Sequence, residues 1–372
     1  MTDSDSAYKK LLNTLKENKV RADLIARLFD PALGMQEDRS IRIFIPDLHM
    51  LSETGQARFP AYGFHSDLAR KGTMVGFLRA LSSFAKQLLD AYYMEVYQIG
   101  DFVDLWREDP FSNNPSGILA TNSAVWDLLY GNLQASFKDP RVPVYFMRGN
   151  HDFSIMDQSE YNNWQRAYFS NDDQVAILHG DVLDWLEKLV PDWLERAVVY
   201  LTGTVSGKRN FSDKEVQNEN ERLHQLNQNS GRYRWAKSYR LGERILTDPR
   251  NSTGPAADNV IRVKTPHQKV GEENDSEDDL RTHELIGPAY DLAEELVKTR
   301  QKRIKLMVIG HTHHARLVQY TKDQEVFVLM DCGAWTETYW VGPLGQPDRT
   351  DHSRQVGVVI GNDLRIYQIA LL

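Results

Sequence analysis

The chain has 372 residues, of which 41% are hydrophobic and 26% charged, and it carries a net charge of −8 at neutral pH. This size and composition suffice for one large globular domain with an insertion, and the acidic balance argues against a broad groove for nucleic acid. The single cysteine, Cys332, favours a buried packing role in a reducing compartment, and the sequence holds neither a signal-peptide core nor an apolar run of membrane-spanning length. A cytoplasmic location is therefore expected.

Residues 1–40 precede the first strand pattern and are predicted to form an N-terminal helical extension. Residues 8–28 carry apolar side chains at helical spacing, which predicts one or two amphipathic helices outside the core. Two roles stay open for their apolar faces, packing against the core and dimerisation. The sequence therefore leaves the oligomeric state undecided.

Five short apolar runs follow, each with strand character and each ending just before a polar segment. The runs are Ile41–Ile45, Val96–Ile99, Val142–Met147, Val175–Leu178 and Ile304–Ile309. The polar segments after them are Asp47–His49, Gly100–Asp104, Gly149–Asp152, His179–Asp181 and Gly310–His313. Residues 73–93 and 120–137 have helical spacing and predict crossover helices between parallel strands. Because sites in open α/β sheets form at the carboxyl ends of strands, we expect the five segments to converge.

The side chains of these segments are aspartates, an asparagine and histidines, a mixed oxygen and imidazole set. Such a set suits Mn, Fe, Zn or similar divalent ions better than Ca or thiolate-bound structural Zn. Two cations about 3.5–4 Å apart can clamp a phosphoryl group and lower the pKa of a bridging water toward neutrality. The first hypothesis is therefore a phosphoesterase in which a metal-bridging hydroxide attacks phosphorus.

In this order, the five segments resemble the motifs of the calcineurin-like metallophosphoesterase superfamily, over residues 41–185 and 304–340. The resemblance implies an α/β fold, a four-layer α-β-β-α sandwich whose core comprises residues 41–185 and 304–372. It also implies two divalent metal ions, with Mn as the first choice and Fe, Zn or Co as alternatives. The ligands implied for one ion are Asp47, His49, Asp101 and His313. Those implied for the other are Asp101, Asn150, His179 and His311.

The resemblance also places His151 beside the scissile phosphate, where an imidazolium can hydrogen-bond the developing charge and protonate the leaving oxygen. Asp152 is expected to orient that imidazole. Asn150 and Arg148 are assigned to substrate binding, with a structural salt bridge as the alternative for Arg148. Two further carboxylates, assigned either to support of the site or to turn and cap roles, are Asp104 and Asp181.

The long stretch between the fourth and fifth motifs predicts a cap insertion over residues 186–303, since the basic fold needs far fewer residues there. A cap helix is expected from residues 185–201. Residues 248–279 are rich in Pro, Gly, Asn, Asp and Glu, and part of this segment is expected to be mobile. Residues 288–303 are predicted to form a helix with Pro288 in its first turn.

Three apolar runs in the C-terminal part have strand character and are expected to complete the second sheet. They are residues 326–330, 356–360 and 364–369, and Gly361 to Asp363 predict a hairpin turn between the last two.

Residues around the motifs, such as Gly333-Ala334-Trp335, are similar to the UDP-2,3-diacylglucosamine pyrophosphatase branch. Enzymes of that branch carry an arginine where this chain has His151. The expected activity is hydrolysis of a phosphodiester or pyrophosphate bond in a phosphorylated small molecule, nucleotide-linked or lipid-linked. The alternatives are a phosphomonoesterase or Ser/Thr protein phosphatase, and a non-catalytic metal-binding scaffold. Nucleic acid is not expected as a partner, whereas peripheral membrane contact stays open.

Overall fold

The structure is a computed structural model that describes most of the chain outside residues 184–259. The described residues are 3–35, 40–58, 68–88, 93–105, 108, 115–132, 142–152, 164–165, 167–170, 174–183, 260–263, 279–300, 303–313, 315–335, 340–341, 347–348 and 354–372.

The described part of the chain contains both helices and strands. The helices are α1 (Asp3–Glu17), α2 (Glu53–Arg58), α3 (Leu68–Leu88), α4 (Pro115–Thr121), α5 (Ser123–Trp126) and α6 (Asp279–Arg300), with a π-helical turn at Asp127–Asn132 and 3-10 turns at Pro31–Leu33 and Asp181–Leu183. The strands are β1 (Val20–Phe29), β2 (Ser40–Ile45), β3 (Tyr93–Gln98), β4 (Val144–Phe146), β5 (Ala167–Phe169), β6 (Val175–Leu178), β7 (Val260–Val263), β8 (Leu306–Ile309), β9 (Arg316–Lys322), β10 (Glu325–Asp331), β11 (Trp340–Val341), β12 (Pro347–Asp348), β13 (Gln355–Ile360) and β14 (Asp363–Leu371).

Two six-stranded mixed sheets form the centre of the fold. Sheet 1 has the order β1-β14-β13-β2-β3-β4, and β2, β3 and β4 are parallel to one another. Sheet 2 has the order β5-β6-β8-β10-β9-β7, and β6, β8 and β10 are parallel. The short strands β11 and β12 pair separately.

Three apolar clusters separate the layers of the fold. The first packs α1 and α3 on sheet 1 and includes Leu11 and Phe77. The second lies between the two sheets, with Phe44 from sheet 1 and Val308 from sheet 2. The third packs α6 on the other face of sheet 2 through residues such as Ile286. The described layers thus follow the order helix, sheet, sheet, helix, which agrees with the predicted sandwich.

The five predicted strands are present as β2, β3, β4, β6 and β8, and their carboxyl ends meet. In sheet 1, the Ile99 N–H donates to the Ile45 carbonyl, which joins the ends of β3 and β2. In sheet 2, the Gly310 N–H donates to the His179 carbonyl, which joins the loops after β8 and β6. The predicted convergence of the five motifs is therefore confirmed.

The N-terminal segment differs from the prediction in its second half. Residues 20–29 form β1, not a helix, and pair antiparallel with β14 from Val20 opposite Leu371 to Phe29 opposite Asp363. The pairing partner lies at the far end of the sequence, so helical spacing in the local pattern did not reveal it. Helix α1 packs on the core, because Tyr8, Leu11 and Leu15 are buried in the first cluster.

The last helix of the insertion differs from the prediction. Residues 260–263, in the segment of which part is expected to be mobile, form β7, which pairs parallel with β9. Helix α6 begins at Asp279, so Pro288 lies inside it, and the burial of Leu285, Ile286 and Ala289 against sheet 2 compensates for the hydrogen bond that a proline removes. The helix predicted for residues 185–201 lies outside the described residues.

The C-terminal hairpin is present, but it completes sheet 1 by pairing β13 with β2, whereas β10 belongs to sheet 2. Cys332 is buried in the cluster between the sheets, as predicted. Among the described residues, no helix has the length and apolar character needed to cross a membrane.

Candidate metal centre

Four of the proposed ligands have left-handed backbone conformations, which side-chain-bearing residues rarely adopt. The φ angles are 48° at His49, 48° at Asp101, 71° at His311 and 60° at His313. Each such residue costs on the order of 1–3 kcal/mol and persists only where its surroundings fix it. Here the His49 N–H donates to the Asp101 carbonyl at 2.8 Å, and this hydrogen bond links two of the four strained residues. This strain is typical of a functional site.

Asp47, His49 and His313 form the first group of side chains able to hold a metal ion. His313 Nε2 lies 3.1 Å from Asp47 Oδ2 and 3.1 Å from His49 Nε2. His49 Nδ1 faces the carboxylate of Asp104 at 3.2 Å and donates to it, since a carboxylate only accepts. The lone pair of His49 Nε2 is therefore directed at the other two side chains, as metal coordination requires.

His179 directs its Nε2 toward a second set of oxygens. Its Nδ1 donates to the Ile99 carbonyl at 2.9 Å, which fixes the tautomer. Its Nε2 lies 3.1 Å from Asn150 Oδ1 and 3.2 Å from Asp101 Oδ2. The ring of His311 packs edge-on against that of His179, with 5.1 Å between centroids. The structure thus brings together the four residues proposed for the second ion.

Asp101 lies between the two sets of ligands. Its Oδ2 is 3.4 Å from His49 Nε2 and 3.2 Å from His179 Nε2, and its Oδ1 accepts from the His151 N–H at 3.0 Å. Asp47, Asp101 and His179 also form a group able to hold a metal ion. Asp47 is therefore close to both sets, which the sequence did not predict.

The buried carboxylates and imidazoles shift one another's pKa values. Burial by itself would raise the pKa of Asp101, but His179 and His151 lower that pKa well below its usual range. Burial by itself would lower the pKa of His179, but Asp101 and Asp47 raise it well above its usual range. Asp101 therefore stays ionised at neutral pH, and a buried carboxylate attracts a cation strongly.

The residues present fit divalent cations. Asp47 Oδ1 is buried and has no hydrogen-bond partner among the described residues, which is costly for a carboxylate oxygen unless a ligand satisfies it. The ion pairs that the described residues give Asp47 and Asp101 are with imidazoles, which are themselves metal ligands when neutral. Oxygen and imidazole donors at this spacing match Mn, Fe, Zn or similar ions.

Gly149 allows the third motif to approach Asp101 closely. A Cβ at this position would lie 2.0 Å from Asp101 Oδ1 and 2.6 Å from the Asp101 backbone nitrogen. Gly149→Ala is therefore expected to displace Asp101, to abolish tight Mn²⁺ binding and to destabilise the fold by about 3 kcal/mol, the upper range for overpacking. Mn²⁺ titration and thermal unfolding measure the two effects.

Gly361 offers a matched control, because a Cβ there would have open space although its φ is 55°. Gly361→Ala is expected to cost about 1 kcal/mol of backbone strain and to leave Mn²⁺ affinity unchanged. Equal Mn²⁺ affinities in the two variants would contradict the close-approach argument.

Asp104 holds two histidines, a role that the sequence left open between site support and a turn. Its Oδ1 accepts from His151 Nδ1 at 2.8 Å, and its Oδ2 faces His49 Nδ1 at 3.2 Å. The two rings meet edge-on with 4.6 Å between centroids. Asp104 thus orients both the proposed proton donor and a proposed ligand. Its place in the second motif made it a candidate, but its two partners lie in other loops.

Asp152 accepts hydrogen bonds from backbone N–H groups, whereas Asp104 supplies the carboxylate contact described for the His151 ring. Its carboxylate accepts from the N–H groups of Phe102, Val103 and Gly149 at 3.3, 2.9 and 3.1 Å, and so ties the second motif to the third. Burial raises the pKa of Asp152 to about 7, and Asp101 adds to the shift. The residue is fully buried beneath the site.

Asp152→Ala leaves three buried N–H groups without an acceptor and is expected to lower the free energy of unfolding by about 3 kcal/mol. Asp152→Asn keeps one acceptor oxygen and is expected to cost about 1 kcal/mol. Urea-induced unfolding of the metal-free protein measures both. An alanine variant within about 0.5 kcal/mol of the original, the usual range for surface changes, would contradict this role.

Two of the predicted residues remain to be placed, Arg148 and Asp181. The Arg148 backbone N–H donates to the Gln165 carbonyl, and substrate contact by its side chain stays a prediction. Asp181 begins a single 3-10 turn in which the Leu183 N–H donates to the Gly180 carbonyl. The structure adds Thr312 and Asp331, which the sequence did not single out and whose contacts are described below.

Comparison with known protein families matches residues 43–315 to the calcineurin-like phosphoesterases. Because the match covers most of the chain, this protein belongs to the calcineurin-like phosphoesterase family of metal-dependent hydrolases. The matched span contains all five motifs, so the family predicted from them is confirmed. No curated protein matches the chain in sequence.

Proposed function

We propose that this protein hydrolyses a phosphodiester or pyrophosphate bond of a small molecule with the help of two divalent cations, Mn²⁺ first among them. The observation that carries the proposal is the position of Asp101 Oδ2, which lies 3.4 Å from His49 Nε2 and 3.2 Å from His179 Nε2. A carboxylate between two sets of imidazole ligands is suited to share its oxygens between two ions. When bound, such ions would neutralise charge on the phosphoryl group and acidify a coordinated water.

His151 is the proposed proton donor. Its Nδ1 donates to Asp104, so Nε2 is the atom through which a proton would pass to the leaving oxygen. The Asp104 carboxylate stabilises the imidazolium form and fixes the ring plane. The His151 side chain is 12% exposed, whereas that of Asp104 is fully buried. The imidazole thus lies at the rim of the site, where a substrate can reach it.

Substrate choice within this chemistry is supported by the sequence around the motifs. The similarity to the UDP-2,3-diacylglucosamine pyrophosphatase branch favours a diester or pyrophosphate, and His151 in place of that branch's arginine argues against the same lipid substrate. We therefore propose that the substrate is a nucleotide-linked or lipid-linked phosphoester other than UDP-2,3-diacylglucosamine. A phosphomonoesterase is the second candidate, because the metal centre is common to both reactions.

The test compares four substrates with Mn²⁺-loaded protein: bis-p-nitrophenyl phosphate, p-nitrophenyl phosphate, a phosphopeptide and UDP-diacylglucosamine. We expect the diester to be hydrolysed faster than the monoester and the phosphopeptide. Asp101→Asn protein, purified in parallel, controls for contaminating phosphatases. Faster hydrolysis of the monoester or phosphopeptide would favour the second candidate, and no turnover on any substrate would favour a metal-binding scaffold.

A further inference from the structure

The residue between the two histidines of the fifth motif, Thr312, is not one of the proposed ligands. Thr312 is buried, and its hydroxyl donates to the carboxylate of Asp331. His311 and His313 on either side have φ angles of 71° and 60°. Each would relax toward an ordinary conformation if the segment were released, because left-handed backbone is unfavourable for a residue with a Cβ. The middle residue is therefore the anchor of a strained segment.

Asp331 is the residue to which Thr312 is bound, and it has further partners of its own. It is fully buried at the end of β10, and besides the Thr312 hydroxyl it accepts from the Gly333 N–H at 3.2 Å. The Arg316 guanidinium lies 3.6 Å from its Oδ2 and supplies the opposite charge that a buried carboxylate needs. Arg316 faces Asp331 across the antiparallel pair of β9 and β10. The carboxylate is thus held from three directions.

The chain that follows Asp331 reaches the first motif. Residues 331–335, which begin at the last residue of β10, are called the 331–335 turn below. Within it, Ala334 forms a parallel bridge with Asp47, and the Trp335 N–H donates to the Asp47 carbonyl at 2.9 Å. Gln355 Oε1 accepts from the Ala334 N–H at 3.2 Å. Asp47 follows β2 of sheet 1, whereas Asp331 ends β10 of sheet 2, so this turn connects ligand loops from both sheets.

We propose that Thr312 and Asp331 are positioning residues that set metal affinity. The hydrogen bond between them holds His311 and His313 in their left-handed conformations, and the 331–335 turn keeps both in register with Asp47. Neither Thr312 nor Asp331 is among the proposed ligands or the residues assigned to substrate binding. The inference rests on the metal centre of the proposed function, but it does not depend on which bond is hydrolysed.

The test replaces the hydroxyl with a group of the same shape. Thr312→Val keeps the branched side chain and removes the donor, whereas Thr312→Ser keeps the donor. Mn²⁺ titration of the metal-free protein by calorimetry is expected to show weaker binding in Thr312→Val by about 10–100-fold, the usual effect of losing an outer-shell partner. Thr312→Ser is expected to bind Mn²⁺ as the unsubstituted protein does.

Asp331→Asn provides a second, independent variant, because its amide offers one acceptor oxygen to two donors, Thr312 and Gly333. Its Mn²⁺ affinity is also expected to fall, and the double variant Thr312→Val/Asp331→Asn should bind no more weakly than the weaker single variant. Additive losses would show that the two residues act separately and would overturn the proposal.

Thermal unfolding of each metal-free variant separates positioning from general stability. A lower melting temperature with unchanged Mn²⁺ affinity in Thr312→Val or Asp331→Asn would overturn the inference. If Thr312→Val does not fold, the affinity of Asp331→Asn relative to Thr312→Ser decides in the same way. The proposed function fails separately, if the unsubstituted protein binds Mn²⁺ tightly and hydrolyses no phosphoester.

Discussion

Replacing Asp101 with asparagine is expected to remove bound metal and to reduce hydrolysis by at least about 1,000-fold, the upper range for loss of one electrostatic contact in an active site. The amide keeps the shape of the side chain, and its oxygen can still accept from the His151 N–H. Its NH₂ group would then face His49 Nε2 and His179 Nε2 in place of Oδ2. A donor at that point satisfies the imidazole lone pairs and repels a cation.

Metal content after dialysis, measured by mass spectrometry, and turnover of bis-p-nitrophenyl phosphate test this prediction together. Asp291→Asn is the matched control, since Asp291 is exposed on α6 and the change alters net charge by the same amount. Its metal content and rate should equal those of the unsubstituted protein. Full metal content with full activity in Asp101→Asn would rule out a shared ligand at this position.

His151→Gln is expected to keep metal bound and to lower kcat by about 10²–10⁴-fold, the contribution of a positioned general acid. The physical reason is that His151 Nδ1 is already bonded to Asp104, so the ring is oriented for proton transfer and not for holding an ion. Glutamine can still accept or donate a hydrogen bond, but it cannot give up a proton at neutral pH.

The leaving group distinguishes proton donation from simple positioning. A nitrophenolate departs without a proton, whereas an alkoxide needs one, so the loss in His151→Gln should be much larger for an alkyl phosphodiester than for bis-p-nitrophenyl phosphate. His283→Gln, in helix α6, serves as the control for replacement of a histidine elsewhere. Equal losses on the two substrates would contradict the role of a general acid, and loss of metal would make His151 a ligand.

The motifs and the strands that carry them were predictable from the sequence because both are local patterns. An apolar run followed by an aspartate or histidine indicates a strand end, and the parallel arrangement of strands brings such ends together. Residues 20–29 defeated the same reasoning, since their conformation is decided by pairing with β14. A local pattern cannot reveal a partner that lies at the far end of the chain.

Supporting residues of the site were less predictable than its ligands, for a similar reason. Asp104 lies 55 residues from His49 and 47 from His151 in sequence, yet it bonds both rings. Asp331 and Thr312 are 19 residues apart and meet only because β8 and β10 are neighbours. Their roles depend on distances between loops, which residue types do not encode.

The place of the β13–β14 hairpin in sheet 1 affects how the protein is made. The hairpin lies between β1 and β2, although β1 is synthesised first and the hairpin last. During translation, β1 therefore cannot pair with β14 until every proposed metal ligand has already left the ribosome. Long-range pairing of this kind slows folding and exposes apolar surface meanwhile. A protein that ends before residue 355 would thus keep every proposed ligand, but it would lack the two strands that join β1 to β2 in sheet 1.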